Sequence, residues 1–408
     1  MESKDINLFD LDEKTDVFDL TNKILLENSN LLKKKRFELI CQLLTRLKEK
    51  ISKINYEKFV LTKKIQAHSM PLTNCCLNKS GSRLITSSYD RTCKLFDTKT
   101  GELLHKYEGH QNVVSCLSFN NPFGDKIVTG SFDKTLKLWS TETGKLYHTF
   151  NGHHGEIICA SFNGIQSNML GSGSMDGQAI LWDIRSGNDI WRLRGHSEEI
   201  VNLSFNNAGN IIATGSFDHT INLWDVRTGR TLHTLIGHRA EVTSVLFNFD
   251  SSLLLTGSMD GTAKIWDTSS GKCLSTLRDH TQEILDVTFS PSGNLIATCS
   301  SDSTCKIYTT KNNNFELKFN LKNERINNEN TEISKVMFNG NENFLLTSSK
   351  SNIVKIWNCS DDFKNNTVPA TIFQTLQDHE DEVFYSCFNY YGAKDNTCNI
   401  YNINSDNK

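Results

Sequence analysis

The stretch Gly195–Asp225 reads GHSEEIVNLSFNNAGNIIATGSFDHTINLWD and decides the fold of this chain. Within it, Ile211–Ser216 is an apolar, β-branched run that is typical of a strand, and residues 217–220 have the composition of a tight turn. Residues 221–224 then read as a second strand, whose side chains alternate between two faces. A small sheet built from such strands cannot bury both of its faces alone, so the pattern predicts stacked repeats.

The aromatic residue that ends this unit recurs at a nearly constant spacing. The gaps between successive members are 43, 43, 42, 42, 42, 49 and 44 residues. A period of about 40–45 residues is that of the four-stranded blades of a propeller. Eight units follow from the series Phe96, Trp139, Trp182, Trp224, Trp266, Tyr308, Trp357 and Tyr401.

The repeated string GHxxxV/I…F…TGSxDxTxxxWD resembles the signature of the WD40 family over residues of roughly 64–408. This resemblance predicts an all-β fold, an eight-bladed WD40 β-propeller with a small N-terminal α-helical segment. We expect residues 1–57 to form the helical segment and residues 58–408 to form the propeller. Residues 58–65 would supply the outer strand that closes the last blade, which hides an edge and joins the two ends of the chain.

In the WD40 family, Asp, His, a strand Ser or Thr, and Trp form a hydrogen-bonded tetrad within each blade. A buried carboxylate and a buried indole N–H both need partners, which explains the set physically. The set recurs around the ring, whereas an active site occupies one place, so we interpret it as structural and expect no enzyme and no cofactor. Four consecutive units carry these residues: His110, Asp133 and Trp139; His153, Asp176 and Trp182; His196, Asp218 and Trp224; His238, Asp260 and Trp266.

The last two units depart from the pattern. In the seventh, Ser351 occupies the position of Asp, and the Asn-rich residues 311–330 before it predict a long loop. In the eighth, Phe388 and Asp395 are 7 residues apart, whereas Phe205 and Asp218 are 13 apart. We therefore expect a shortened strand in the closing unit.

Composition excludes several classes of function. The formal net charge of −3 gives no global basic field for nucleic acid, and no apolar run is long enough to span a membrane. The acidic N-terminus does not resemble a secretory signal. The 12 cysteines lack zinc-type spacing, so we expect no metal site and reduced thiols in a cytoplasmic protein.

The N-terminal segment contains one amphipathic stripe, with apolar residues spaced 3, 4, 3 and 4 apart. This stripe either packs against the rest of the chain or forms a surface for a partner helix, and the sequence leaves both readings open. The candidate partner-binding residues are Phe37, Ile40, Leu44, Leu47 and Ile51.

Several strings go beyond the general WD40 pattern and resemble the family of dynein assembly factors with WD repeat domains. They include Pro71–Asn74, Tyr89–Leu95, Phe119–Ile127, Leu235–His238 and Glu283–Asp286. The resemblance implies a monomeric adaptor with protein partners. It would link preassembled outer-arm axonemal dynein subunits to the intraflagellar transport machinery, through its complex B. Its expected location is the cytoplasm, the cilium or flagellum, and the basal body.

A second class of protein remains possible. Trp182–Arg185 and Trp224–Arg227 resemble the WDxR boxes of propellers that serve as substrate receptors of cullin–RING ubiquitin ligases. Arginine at this position is common in the fold, so an exposed loop residue is the simpler interpretation.

Overall fold

The computed structural model describes the repeat region almost completely and the N-terminal segment only in part. The chain divides into two compact units, one of Leu61–Tyr401 and one of Met1–Val60 with Asn402–Lys408. The described residues are 21, 41–45, 59–164, 167–310, 314–323, 331–359, 371–379, 381–383, 385–387, 390–392 and 397–403.

Short strands form nearly all of the regular secondary structure among the described residues, because apolar and β-branched runs alternate with turns that contain Gly, Asp and Asn. In chain order they are β1 (Phe59–Gln66), β2 (Leu72–Leu77), β3 (Arg83–Ser88), β4 (Cys93–Asp97), β5 (Leu103–Tyr107), β6 (Val114–Phe119), β7 (Lys126–Ser131), β8 (Thr135–Ser140), β9 (Leu146–Asn151), β10 (Ile157–Phe162), β11 (Met169–Ser174), β12 (Gln178–Asp183), β13 (Asp189–Arg194), β14 (Ile200–Phe205), β15 (Ile211–Ser216), β16 (Thr220–Asp225), β17 (Thr231–Ile236), β18 (Val242–Phe247), β19 (Leu253–Ser258), β20 (Ala263–Asp267), β21 (Cys273–Leu277), β22 (Ile284–Phe289), β23 (Leu295–Ser300), β24 (Thr304–Thr309), β25 (Glu316–Lys322), β26 (Ile333–Phe338), β27 (Phe344–Ser349), β28 (Val354–Asn358), β29 (Ile372–Leu376), β30 (Tyr385–Cys387), β31 (Tyr390–Gly392) and β32 (Thr397–Ile403).

Seven sheets are complete blades, each built from four strands that follow one another in the chain. We number them blades 1 to 7 and call their strands first to fourth, in chain order. Neighbouring strands pair antiparallel, and the first strand bulges at its start in every blade. The blades are β2–β5, β6–β9, β10–β13, β14–β17, β18–β21, β22–β25 and β26–β29.

The remaining sheet differs from these blades, and the prediction of eight full blades is wrong. Its strand order is β1-β32-β31-β30, so it combines strands from both ends of the chain. β30 and β31 have 3 residues each, where the first and second strands of the blades have 6. The shortfall between Phe388 and Asp395 removes the length that two full strands need. The structure thus has seven complete blades and one short composite sheet, which we call the closing sheet.

The apolar core lies between successive sheets. Ile85 and Leu95 of blade 1, for example, pack with Val114, Ile127 and Trp139 of blade 2. Full burial of such a side chain stabilises the fold by about 1.5–3 kcal/mol. The first strands of neighbouring blades contact one another, and the first strands of blades 1 and 7 both contact β30. The closing sheet therefore lies between blade 7 and blade 1.

The N-terminal unit is described at few positions. Residues 41–45 are helical, Leu44 is 3% exposed, and the Cys41 thiol donates a hydrogen bond to Thr21 Oγ1 at 3.2 Å. The rest of the predicted helical segment lies outside the described residues, and its boundary at residue 57 stays a prediction. Among the described residues, none belongs to a helix with the length and apolar character needed to cross a bilayer.

Candidate functional site

Blade 4 shows how one unit holds its polar residues. His196 lies in the loop before the first strand, with Nδ1 2.8 Å from Asp218 Oδ2 and Nε2 2.8 Å from Thr214 Oγ1. The indole N–H of Trp224 donates to the same Thr214 oxygen at 2.9 Å. A neutral histidine with its proton on Nδ1 satisfies every group, because the threonine hydroxyl then donates to Nε2.

The other three predicted sets have the same geometry. The His–Asp distances are 2.8, 3.0 and 3.1 Å in blades 2, 3 and 5, and each Trp N–H donates to the strand hydroxyl at 2.9–3.0 Å. The sequence pattern predicted a strand Ser or Thr for this hydroxyl but did not identify the residue. The complete sets are His110, Thr129, Asp133 and Trp139; His153, Ser172, Asp176 and Trp182; His238, Thr256, Asp260 and Trp266.

The aspartate of each tetrad also shapes the turn that carries it. Asp218 Oδ1 accepts hydrogen bonds from the backbone N–H and the hydroxyl of Thr220, and Oδ2 accepts one from Ser197 N–H. Burial raises the pKa of Asp218, but the hydrogen bonds from Thr220 and His196 outweigh it and hold the pKa below its usual value. The charged form is therefore the stable one in the fold.

This arrangement stabilises the blade and has no means of attacking a substrate. Thr214 and Ser172 are fully buried, and their oxygens already bond a tryptophan and a histidine. A nucleophile needs an accessible oxygen beside the reacting atom. The tetrads fix the loop before each first strand onto the second and third strands, which keeps the loops of that edge in place.

Three blades retain parts of the tetrad. Blade 1 has Phe96 in place of Trp, yet His68 still lies 2.8 Å from Asp90. Blade 6 has Tyr308, and its His280 lies 2.9 Å from Asp302. Blade 7 keeps the bond from Trp357 N–H to the strand hydroxyl at 3.0 Å, while the Ser351 hydroxyl that replaces Asp bonds Ser349 instead. The tetrads are most regular in blades 2 to 5.

A polar cluster on the inner strands was not predicted. Asp286 of blade 6 is only 4% exposed, and its carboxylate accepts hydrogen bonds from Ser244 Oγ at 3.1 Å, Lys335 Nζ at 3.0 Å and Val336 N–H at 3.3 Å. The Lys335 ammonium also lies 5.3 Å from the centre of the Tyr385 ring. One carboxylate thus links blades 5, 6 and 7. The signal in the sequence is a charged residue at a position where blades 1 to 5 carry Asn, Cys, Cys, Asn and Ser.

The other predicted site residues are placed less completely. Of the candidate partner-binding residues, only Leu44 is described, and it is buried. Phe37, Ile40, Leu47 and Ile51 lie outside the described residues. Arg185 and Arg227 of the WDxR strings are exposed in the turns between the third and fourth strands of blades 3 and 4.

The described residues contain no group of three or more His, Cys, Asp or Glu side chains that could hold a metal ion. Eleven cysteines in the described part of the chain form no disulfide, and most of them are buried. Burial raises the pKa of the Cys116 thiol to about 12, which keeps it protonated and unreactive.

Blades of four antiparallel strands with His–Asp–Ser/Thr–Trp tetrads define a WD-repeat β-propeller protein. Comparison with known families agrees: the first β-propeller of IFT122 matches residues 71–266, and the WD domain, G-beta repeat, matches residues 271–309 and 323–358. The solved structure of the computationally designed Ika8 protein aligns with a TM-score of 0.70 and 26% identity, covering 83% of this chain and 98% of that one.

Part of this chain is similar to curated relatives named dynein assembly factor with WD repeat domains 1. The human, Xenopus laevis and zebrafish (Danio rerio) proteins are 49%, 46% and 45% identical to this chain over 123 residues. The aligned part is 30% of this chain and 29% of each relative, so it spans less than a third of their length. The resemblance predicted from the sequence is confirmed over that part.

Proposed function

We propose that this chain is a non-enzymatic adaptor in the assembly of axonemal dynein. It links preassembled outer-arm dynein to the intraflagellar transport machinery, through its complex B, for delivery into cilia or flagella. The observation that carries this proposal is the 45–49% identity to dynein assembly factors over 123 residues. The match of residues 71–266 to the first propeller of IFT122 supports a role in the same organelle.

The architecture suits an adaptor for a physical reason. An adaptor needs two surfaces that stay in place while two partners bind, and buried tetrads hold the loops of successive blades rigidly. Rigid loops lose little conformational entropy on binding, so more of the contact energy appears as affinity. The two partners would occupy different edges of the blades.

The proposal is tested by removing the protein from a cell that builds motile cilia or flagella. We expect axonemes without outer dynein arms, while outer-arm dynein chains remain assembled in the cell body. Re-expression of the full chain should restore the arms. Axonemes with a normal complement of outer arms would contradict the proposal.

A substrate receptor of a cullin–RING ubiquitin ligase is the competing proposal, since Arg185 and Arg227 are both exposed at equivalent turns. Its test is co-purification of a cullin with the full chain, and loss of that cullin in the Arg185→Ala, Arg227→Ala double variant. A cullin retained by the double variant would count against it.

A further inference from the structure

One edge of the blades exposes large apolar side chains at equivalent positions. We call it the turn face, and define it by the turns between the second and third strands and the loops before the first strands. In blades 1 to 5 the residue before each tetrad Asp is apolar: Tyr89, Phe132, Met175, Phe217 and Met259. Tyr89, Met175 and Met259 are 46%, 43% and 38% exposed, and a row of exposed apolar side chains on one surface is typical of an interaction site.

The backbone holds these side chains in fixed positions. The N–H of Met175 donates to the carbonyl of Glu156, that of Phe217 to Glu199 and that of Met259 to Glu241, at 2.9–3.0 Å. Each acceptor is the residue before the first strand of the same blade. An apolar residue and a glutamate therefore lie side by side in the backbone of each of blades 3, 4 and 5.

Neighbouring blades are joined close to this edge. Thr73 Oγ1 of blade 1 donates to the carbonyl of Val114 in blade 2, and Thr243 Oγ1 of blade 5 donates to that of Ile284 in blade 6 at 2.7 Å. Val114 and Ile284 each directly follow the residue of the turn face. The pairs on successive blades are therefore neighbours along one continuous surface.

Charge on the turn face is divided between the blades. The residue before the first strand is glutamate in five consecutive blades, whereas blades 1 and 2 have Pro71 and Val113 there. The exposed Glu198 adds a further negative charge to blade 4. Two positive charges reduce the net negative charge of blades 3 to 7: the exposed Arg239, and Lys350, which pairs with Glu332. Blades 1 and 2 instead expose Arg91 and Lys134. The five glutamates are Glu156, Glu199, Glu241, Glu283 and Glu332.

We propose that the turn face of blades 3 to 5 binds a protein segment in which Lys or Arg side chains stand beside an apolar side chain. Such a segment matches both members of each pair, because its cation meets the glutamate and its apolar side chain covers the methionine or phenylalanine. Nucleic acid and anionic membrane would be repelled by the same carboxylates. The inference rests on the proposed function only in requiring a protein-binding scaffold.

A defined probe tests this surface on the full chain. The probe is a fluorescein-labelled peptide of twelve residues, with Lys–Leu and Arg–Leu pairs separated by glycine, and binding is followed by fluorescence anisotropy. We expect Glu199→Lys with Glu241→Lys to weaken binding at least ten-fold. The matched control is Glu102→Lys with Glu142→Lys, which makes the same change of charge at exposed positions on the opposite edge and should bind as the unaltered chain does.

The apolar half of the surface has its own variants. Met175→Ser with Met259→Ser should weaken binding at least three-fold, whereas Leu104→Ser with Leu274→Ser, on the fourth strands, should not. If the Lys variant unfolds, Glu199→Gln with Glu241→Gln keeps the shape and should weaken binding three-fold or more. The proposal would be overturned if the control Glu102→Lys with Glu142→Lys weakened peptide binding as much as the turn-face double Lys variant. It would also be overturned if no turn-face variant weakened binding. Neither result depends on whether dynein is a partner.

Discussion

Trp191 of blade 3 lies directly against Gly229 of blade 4, in the turn between the third and fourth strands. A methyl group placed on Gly229 would lie 2.6 Å from the Trp191 ring, closer than any real contact allows. The fourth strand of one blade thus covers a turn of the next. The same relationship joins His105 to Gly144, His148 to Gly187 and His233 to Gly271.

The closing sheet makes the corresponding contact with blade 1. Lys63 of β1 lies over Gly101, and its ammonium donates a hydrogen bond to the carbonyl of Thr100. Thr62 Oγ1 on the same strand donates to the carbonyl of Ile400 at 2.9 Å. One strand therefore joins the last sheet to the first blade.

Gly229→Ala should destabilise the chain by about 2–5 kcal/mol. Its φ of +67° costs an L-residue about 1–2 kcal/mol, and displacing Trp191 costs about 1–3 kcal/mol more. The control is Gly293→Ala, with φ +76° and nothing within 4 Å of the added carbon. Urea denaturation measures both, and Trp191→Ala should bring Gly229→Ala close to the control. Equal free energies of unfolding in the two single variants would exclude the contact as a source of stability.

Thr214→Val should destabilise the chain by about 2–4 kcal/mol at nearly constant volume. The change removes the oxygen that serves both Trp224 and His196, and an unsatisfied buried polar group costs about 1–3 kcal/mol. Thr231→Val, at an exposed position on β17, is the matched control and should change little. Chemical denaturation with tryptophan fluorescence gives both values. If Thr214→Val lowers the free energy of unfolding no more than Thr231→Val does, the hydrogen bonds of Thr214 make no net contribution to stability.

Acid should destabilise the chain through the tetrad aspartates. Burial raises the pKa of Asp176, but hydrogen bonds from His153 and His154 N–H outweigh it and hold the pKa far below the ordinary value of 3.8. Since the unfolded carboxyl takes up a proton first, this stability is present above about pH 4 and lost as pH falls below it.

Asp176→Asn should therefore reduce stability at pH 7 and flatten its decline below about pH 4, while the exposed Asp250→Asn should leave the profile unchanged. The free energy of unfolding at several pH values measures this. Burial also lowers the pKa of His68 below 6.5. Because the unfolded chain then takes up a proton on this histidine first, the stability of the fold declines as pH falls below about 6.5. A profile unaffected by Asp176→Asn would contradict the account.

Asp286→Ala should cost about 2–4 kcal/mol, because it leaves the Lys335 ammonium and Val336 N–H without their acceptor. Because Lys335 is partly exposed, the expected loss of unfolding free energy is smaller than for a fully buried ion pair. Lys350→Ala breaks the more exposed pair with Glu332 and should cost under about 1 kcal/mol. Thermal and urea denaturation compare the two. A larger effect for Lys350→Ala would show that Asp286 does not join the blades.

Local spacing in the sequence predicts most of the blade and its polar residues. His196, Asp218 and Trp224 occupy fixed places relative to strands, so one unit predicts the geometry of its equivalents. The number of full blades was not predicted correctly from the sequence. Tyr401 stands at the spacing of an eighth unit, but that spacing does not require the strands of the unit to reach full length. Strand length depends on residues between the markers, which were missing before Asp395.

Contacts between blades could not be predicted from the sequence for another reason. Asp286 meets Lys335 49 residues away, and Trp191 meets Gly229 38 residues away, at separations that only the ring arrangement brings together. The repeat marks Asp286 as an unusual charged residue, but it identifies the partner of neither Asp286 nor Trp191, because each pair joins two different blades. The apolar residues before the tetrad aspartates were visible in the sequence, but their exposure needed the structure.

The most direct test of the proposed adaptor is quantitative affinity purification of the tagged full chain from cells that are building cilia or flagella. We predict that outer-arm axonemal dynein chains and complex B subunits of intraflagellar transport are enriched together. The control is the same purification with the Thr214→Val variant, which should recover less of both if its propeller is destabilised. Recovery of a cullin and its adaptor, with no axonemal dynein chain above background, would contradict the account.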